Sequence, residues 1–98
     1  MPTYKAPLRD IRFVMDEMLD FPAHYAQLPN GDDASPEIVN AILEEGAKFS
    51  EEVLTPLNQT GDSEGCQFNN GDVTTPTGFK EAYQQFVEGG WPSMTQDT

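Results

Sequence analysis

The residues able to do chemistry in this sequence are few and scattered. His24 is the single histidine and Cys66 the single cysteine. A histidine acting as general base needs an orienting partner and a nucleophile within hydrogen-bond reach. The neighbours Ala23 and Tyr25 supply neither, so His24 reads as a structural or surface residue. A thiolate metal site needs several ligands at suitable spacing. One cysteine and one distant histidine do not make one, and Cys66 is expected half-buried in a small hairpin. Asp62, Glu64, Asn69, Asn70 and Asp72 carry oxygens suited to calcium. They lack the alternating acidic ligands and the closing glutamate of an EF-hand loop, and turn chemistry accounts for them. Glu44-Glu45 and Glu51-Glu52 are adjacent on a helix, where residues one apart do not face each other, so neither pair is an acid–base dyad. No glycine-rich loop precedes a helix with phosphate-binding spacing. Met15 and Met18, at helical spacing, read as core packing. The expectation is that this chain holds no catalytic, cofactor-binding or metal-binding residue.

One constellation stands out for another reason. Phe79, Tyr83, Phe86 and Trp91 gather aromatic surface near the C-terminus. They read either as an ordinary hydrophobic face or as an interface for a domain that follows.

The elements carrying these residues are mostly helical. Residues 1–6 read as an extended arm. Pro7 suits a first helical position. Leu8, Ile11, Met15, Met18 and Leu19 then recur at helical spacing, which predicts a helix over 7–19. Phe21-Pro22 is expected to break it. A short helical turn is expected between Ala23 and Leu28, and a loop over 29–33. Ser35 is a natural N-cap, with Pro36 and Glu37 behind it. Ile38, Ile42, Phe49 and Val53 form one apolar row, flanked by Val39, Leu43, Ala47 and Leu54, so this helix must press a wide stripe on a core. Pro56 falls inside the pattern and predicts a kink near Val53. Gly61 is expected to end the helix as a left-handed cap. Asn69-Asn70-Gly71 favours a primed turn, predicting a hairpin of Cys66–Phe68 and Asp72–Thr74. A hairpin of that size must lie against helices to persist. Thr75 is the expected N-cap of a last helix over 76–88, ended by Gly89-Gly90. The fold class is therefore mainly α, with three main helices and a short β-hairpin.

Ninety-eight residues allow one small domain. Five basic against seventeen acidic residues give a formal charge of −12. Such a charge repels nucleic-acid phosphates and anionic membranes. The acidic residues read as a solvated helix face; the sharper alternative is a stand-alone acidic interaction module or DNA mimic. A lone cysteine fits a reducing cytoplasm. The first residues lack an apolar signal core, and no apolar run approaches the roughly 18 residues of a membrane span.

Three separated strings carry a family resemblance. They are Tyr4-Lys5-Ala6-Pro7-Leu8-Arg9-Asp10-Ile11-Arg12-Phe13, then Ile42 to Phe49 with Val53-Leu54-Thr55-Pro56-Leu57-Asn58 and Gly61-Asp62, then Gly71 to Tyr83 with Glu88-Gly89-Gly90-Trp91. In order and spacing the chain resembles the N-terminal end of a bacterial long-form acyl-CoA dehydrogenase. The resemblance implies a flavoenzyme that removes hydrogens from the α and β carbons of an acyl-CoA in fatty acid β-oxidation. It implies a glutamate base from the C-terminal half, FAD as hydride acceptor, and an electron-transfer flavoprotein as partner. It also implies an N-terminal helical domain followed by a β-domain and a helical bundle. On that pattern residues 1–34 are an arm and first helix, and 35–98 an incomplete helical domain. No catalytic or FAD-binding position carries over onto these residues. The chain is then expected to be a truncated or proteolytic piece, inactive alone. Its apolar faces around Met15, Phe49 and Phe86 are expected to be partly uncovered, favouring homo-oligomers.

Overall fold

The computed structural model describes residues 3–96. Residues 1 and 2, which belong to the expected arm, and residues 97 and 98 lie outside the described residues. The chain divides into two compact units, Met1–Glu51 and Glu52–Thr98.

In the first unit α1 runs over Leu8–Arg12, with Pro7 at its N-cap. It passes directly into wide π-type turns over Phe13–Met18. The expected helix is present, but half of it has changed pitch. Ile11 and Met15 stay half-covered, while Phe13, Val14, Met18 and Leu19 are exposed. The helix ends at the expected place, after Leu19, but the break is made by Asp20 and not by Phe21-Pro22. Asp20 adopts a left-handed conformation (φ 49°), and its carboxylate accepts from the Ala23 N–H at 3.4 Å. Phe21 and Pro22 thus open α2 (Phe21–Ala26) rather than ending α1, because a capped first turn has no use for the proline N–H. A 3-10 turn over Gly31–Ala34 follows.

Ser35 caps α3 (Pro36–Phe49) as its sequence implies, its Oγ accepting from the Ile38 N–H at 3.4 Å. The inward side of α3 is Val39, Asn40, Leu43, Gly46 and Ala47. Ala47 alone is fully buried, at 8 % exposure. Ile38 and Ile42, expected in the core, face water instead. Polar contacts tie the N-terminal segment to α3 and to Glu51 just beyond it. Arg12 donates to Asn40 Oδ1 (3.3 Å) and Glu44 Oε1 (3.0 Å). The Ala6 N–H donates to Glu51 at 3.3 Å, and Lys5 Nζ lies 3.6 Å from the same carboxylate.

Wide turns recur over Ser50–Leu54, where a kink near Val53 was expected. Pro56 has no N–H for the carbonyl four residues back, and its ring crowds that carbonyl. A locally wider turn relieves both problems.

The second unit holds α4 (Thr55–Glu64), the hairpin and α5 (Phe79–Glu88). Gly61 does not cap α4, which continues three residues further and ends at Gly65 with φ 60°. The reason is a close approach: a Cβ at Gly61 would stand 2.6 Å from Cζ of Phe79. Gly61 is a seat for an aromatic ring. The hairpin pairs β1 (Gln67–Asn69) with β2 (Asp72–Thr74), antiparallel, with Phe68 opposite Val73. Asn70 (φ 51°) and Gly71 (φ 87°) make the primed turn that Asn-Gly favours. The hairpin is not covered by helices, since both strands are exposed throughout. Thr75 is not a cap either. α5 begins later, behind Gly78 (φ 90°), because Pro76 is buried and Thr77 is held by Glu64. Ala82 is its buried residue, at 6 % exposure.

The fit of Phe79 over Gly61 makes a testable demand. Gly61→Ala should fail to deliver the helix-propensity gain of about 1 kcal/mol in the native background, because the ring must move. In a Phe79→Ala background the same substitution should deliver it. Urea melts of the four variants decide the matter, and equal effects in both backgrounds would show that the contact is without consequence.

Candidate functional site

His24 lies exposed on α2, with ring centroids of Phe21 and Tyr25 at 6.5 and 5.8 Å. It belongs to an aromatic trio with Phe21 and Tyr25. Cys66 is exposed, one residue before β1, and not half-buried as expected. Its neighbours in the hairpin are themselves uncovered, so nothing is available to bury it.

Of the oxygen-rich residues around the hairpin, Glu64 is engaged in holding the chain's own turn. Glu64, the last residue of α4, accepts from the Thr77 N–H at 2.7 Å and from the Thr77 hydroxyl at 3.0 Å. Its carbonyl accepts from Gln67 Nε2 at 2.8 Å. One residue thus holds both feet of the hairpin. Asn69 pairs across the turn with Asp72. Among the described residues no group of three His, Cys, Asp or Glu side chains is placed to hold a metal ion. A hollow lined by Met15, Phe21, Tyr25, Pro36 and Val39 has a volume of only about 10 Å³, room for one water.

The structure brings together apolar surface instead. On α5, Tyr83 and Phe86 contact each other with ring centroids 6.2 Å apart. Ala82 points inward, while Tyr83 is 67 % exposed and Val87 lies open beside it. Phe79 is drawn aside onto Gly61, and Trp91 folds back against the Gly89 backbone. The expected aromatic set is therefore split between packing contacts and an open face. On the hairpin, Phe68 and Val73 are 71 % and 65 % exposed. The role of Glu64 was not legible in the sequence. Its partner is 13 residues away, and only closure of the hairpin brings the two together.

The comparisons with known proteins agree with this picture of a helical segment. The chain is 40 % identical over 93 residues to 3-methylmercaptopropionyl-CoA dehydrogenase of Ruegeria pomeroyi, an alignment covering 95 % of this chain and 16 % of that protein. Nearly the whole chain is thus similar to a part of an acyl-CoA dehydrogenase. It is also 34 % identical over 90 residues to butyryl-CoA dehydrogenase of Syntrophomonas wolfei, covering 89 % of this chain and 15 % of that protein. The chain thus spans about one-sixth of the length of the curated relatives it matches. No protein-family model matches it. Among the described residues no helix is long and apolar enough to cross a membrane.

The Glu64 contacts invite a direct check. Glu64→Ala should cost about 1 kcal/mol and speed hydrogen exchange at the Thr77 amide. Glu64→Gln, which keeps one carbonyl acceptor, should lose less. Unaltered Thr77 exchange in the alanine variant would contradict the clamp.

Proposed function

We propose that this chain is the N-terminal helical segment of an FAD-dependent acyl-CoA dehydrogenase and acts there as packing scaffold. In that reading residues 1–34 form an arm and first helix, and residues 35–98 begin the N-terminal helical domain. The α,β-dehydrogenation of an acyl-CoA, its flavin and its electron-transfer partner belong to the remainder of the enzyme. The observation that carries the reading is the coverage: nearly all of this chain aligns with a small part of two acyl-CoA dehydrogenases.

Two features support a scaffold role. Chemical groups such as Glu64 and Asp20 are engaged in holding the chain's own turns. The large apolar residues Phe13, Met18, Ile38, Ile42 and Tyr83 present surface that a larger enzyme has reason to cover.

The isolated 98-residue chain is expected neither to retain FAD through gel filtration nor to reduce a dye acceptor with butyryl-CoA. Stoichiometric flavin binding with acyl-CoA-dependent dye reduction would overturn the proposal. The same preparation should sediment as a dimer or larger species at high concentration. A monomer with a sharp cooperative melt would argue that its apolar faces have no missing cover.

A further inference from the structure

We infer that the Asn70-Gly71 turn is a site of spontaneous covalent modification, where the chain deamidates to aspartate and isoaspartate, while the fold holds back the identical Asn30-Gly31 dipeptide. The inference stands apart from the flavoenzyme reading, since it rests on two backbone amides of this chain.

The chemistry needs an asparagine, the peptide nitrogen after it, and water. Hydroxide takes the Gly71 N–H proton, and the nitrogen attacks Cγ of Asn70. An N–Cγ bond forms, the Cγ–Nδ2 bond breaks, and ammonia leaves with a proton from water. The product is a five-membered succinimide. Water then opens one of its two C–N bonds. Opening at Cγ leaves aspartate. Opening at the main-chain carbonyl leaves isoaspartate, whose main chain runs through Cβ and Cγ. Nothing is oxidised or reduced. Glycine is the most permissive following residue, because it has no Cβ to hinder the approach.

The sequence offers this dipeptide twice, at 30–31 and at 70–71. Both asparagines are left-handed, with φ 64° at Asn30 and 51° at Asn70, so that angle does not separate them. The amide that follows does. The Gly31 N–H donates to the Leu28 carbonyl at 3.0 Å, which holds the proton the reaction must remove. Gly31 is also half-buried, and a Cβ there would collide with the Tyr25 carbonyl oxygen, so the turn is packed against rearrangement. Gly71 is exposed, and nothing stands within 4 Å of where its Cβ would be. Among the described residues its N–H has no hydrogen-bond partner. Asn40 and Asn58 lie within α3 and α4, where the following N–H is committed to the helix. Asn69 is followed by a residue that carries a Cβ.

The two products differ in consequence. A two-residue turn sets the register of its hairpin. Isoaspartate inserts a methylene into that turn, and the pairing of Phe68 with Val73 should be lost. Aspartate keeps the ordinary main chain and tolerates the left-handed region as asparagine does, so the hairpin survives it.

The test ages the full 98-residue chain at mildly alkaline pH, maps its peptides by mass spectrometry, and counts isoaspartate with an isoaspartate-specific carboxyl methyltransferase and a labelled methyl donor. Amide-to-acid exchange at Asn70 should outrun that at Asn30 roughly fivefold, the factor that one net hydrogen bond imposes. In urea, which releases both dipeptides, the two rates should converge. Isoaspartate-bearing chains should lose the NMR contacts between Phe68 and Val73. Asn70→Asp should keep those contacts and remove the exchange at this turn. Equal rates in the folded chain, faster loss at Asn30, an Asn70 that reacts only in urea, or a preference that persists unchanged in urea would each overturn the inference.

Discussion

Apolar side chains here outrun the surface available to cover them, and most features of the structure follow from that constraint. The fully buried apolar positions among the described residues are alanines, Ala47 and Ala82, together with Pro76. Burying one large aliphatic or aromatic side chain contributes about 1.5–3 kcal/mol. A whole domain is stable by only about 5–15 kcal/mol. Phe13, Met18, Ile38, Ile42, Phe68 and Tyr83 are all left exposed. The contribution these residues withhold is comparable to the entire margin of an ordinary domain. Covering these side chains would therefore add stability on the scale of a whole domain's margin.

Small residues decide where contact does occur. Ala47 is the buried point of α3, and Ala82 is that of α5. Gly61 admits the Phe79 ring against the α4 backbone, and Gly89 does the same for Trp91. Absence of a side chain permits close approach, and the ring or neighbouring helix fills the space. Polar contacts reinforce the rest. Arg12 attaches the N-terminal segment to Asn40 and Glu44 of α3, and Lys5 and the Ala6 amide attach it to Glu51 just beyond that helix. These pairs are exposed to solvent to different degrees and contribute modestly each. They determine which side of α3 is covered more than how tightly.

Acidic residues play two parts that composition alone does not separate. Asp20 and Glu64 act on the backbone, accepting N–H groups at a helix start and at a hairpin foot. Glu44 and Glu51 pair with the few cations available. Those remaining set the sign of the surface. The relation to acyl-CoA dehydrogenases and this acidic, apolar surface describe one molecule: a helical segment with its turns internally satisfied and its broad faces turned outward.

Local signals in the sequence were decisive wherever one residue's chemistry satisfied its own neighbourhood. Ser35 capped α3, Asn70-Gly71 made the primed turn, and Pro56 imposed a widened helical turn before it, because each acts within a few residues on φ, ψ or an orphan N–H. The helical class and the family likeness were legible for the same reason. Tertiary structure decided what local preference leaves undetermined. Gly61 has the look of a helix end, but Phe79 occupies the space beside it and the helix continues. Thr75 has the look of a cap, but Glu64 takes Thr77 and α5 starts after Gly78. Ile38 and Ile42 share an apolar stripe with Val39 and Leu43, yet α1 covers one side of it and leaves the other open. A stripe's width follows from residue order; which part of it is covered depends on where a partner lies in space.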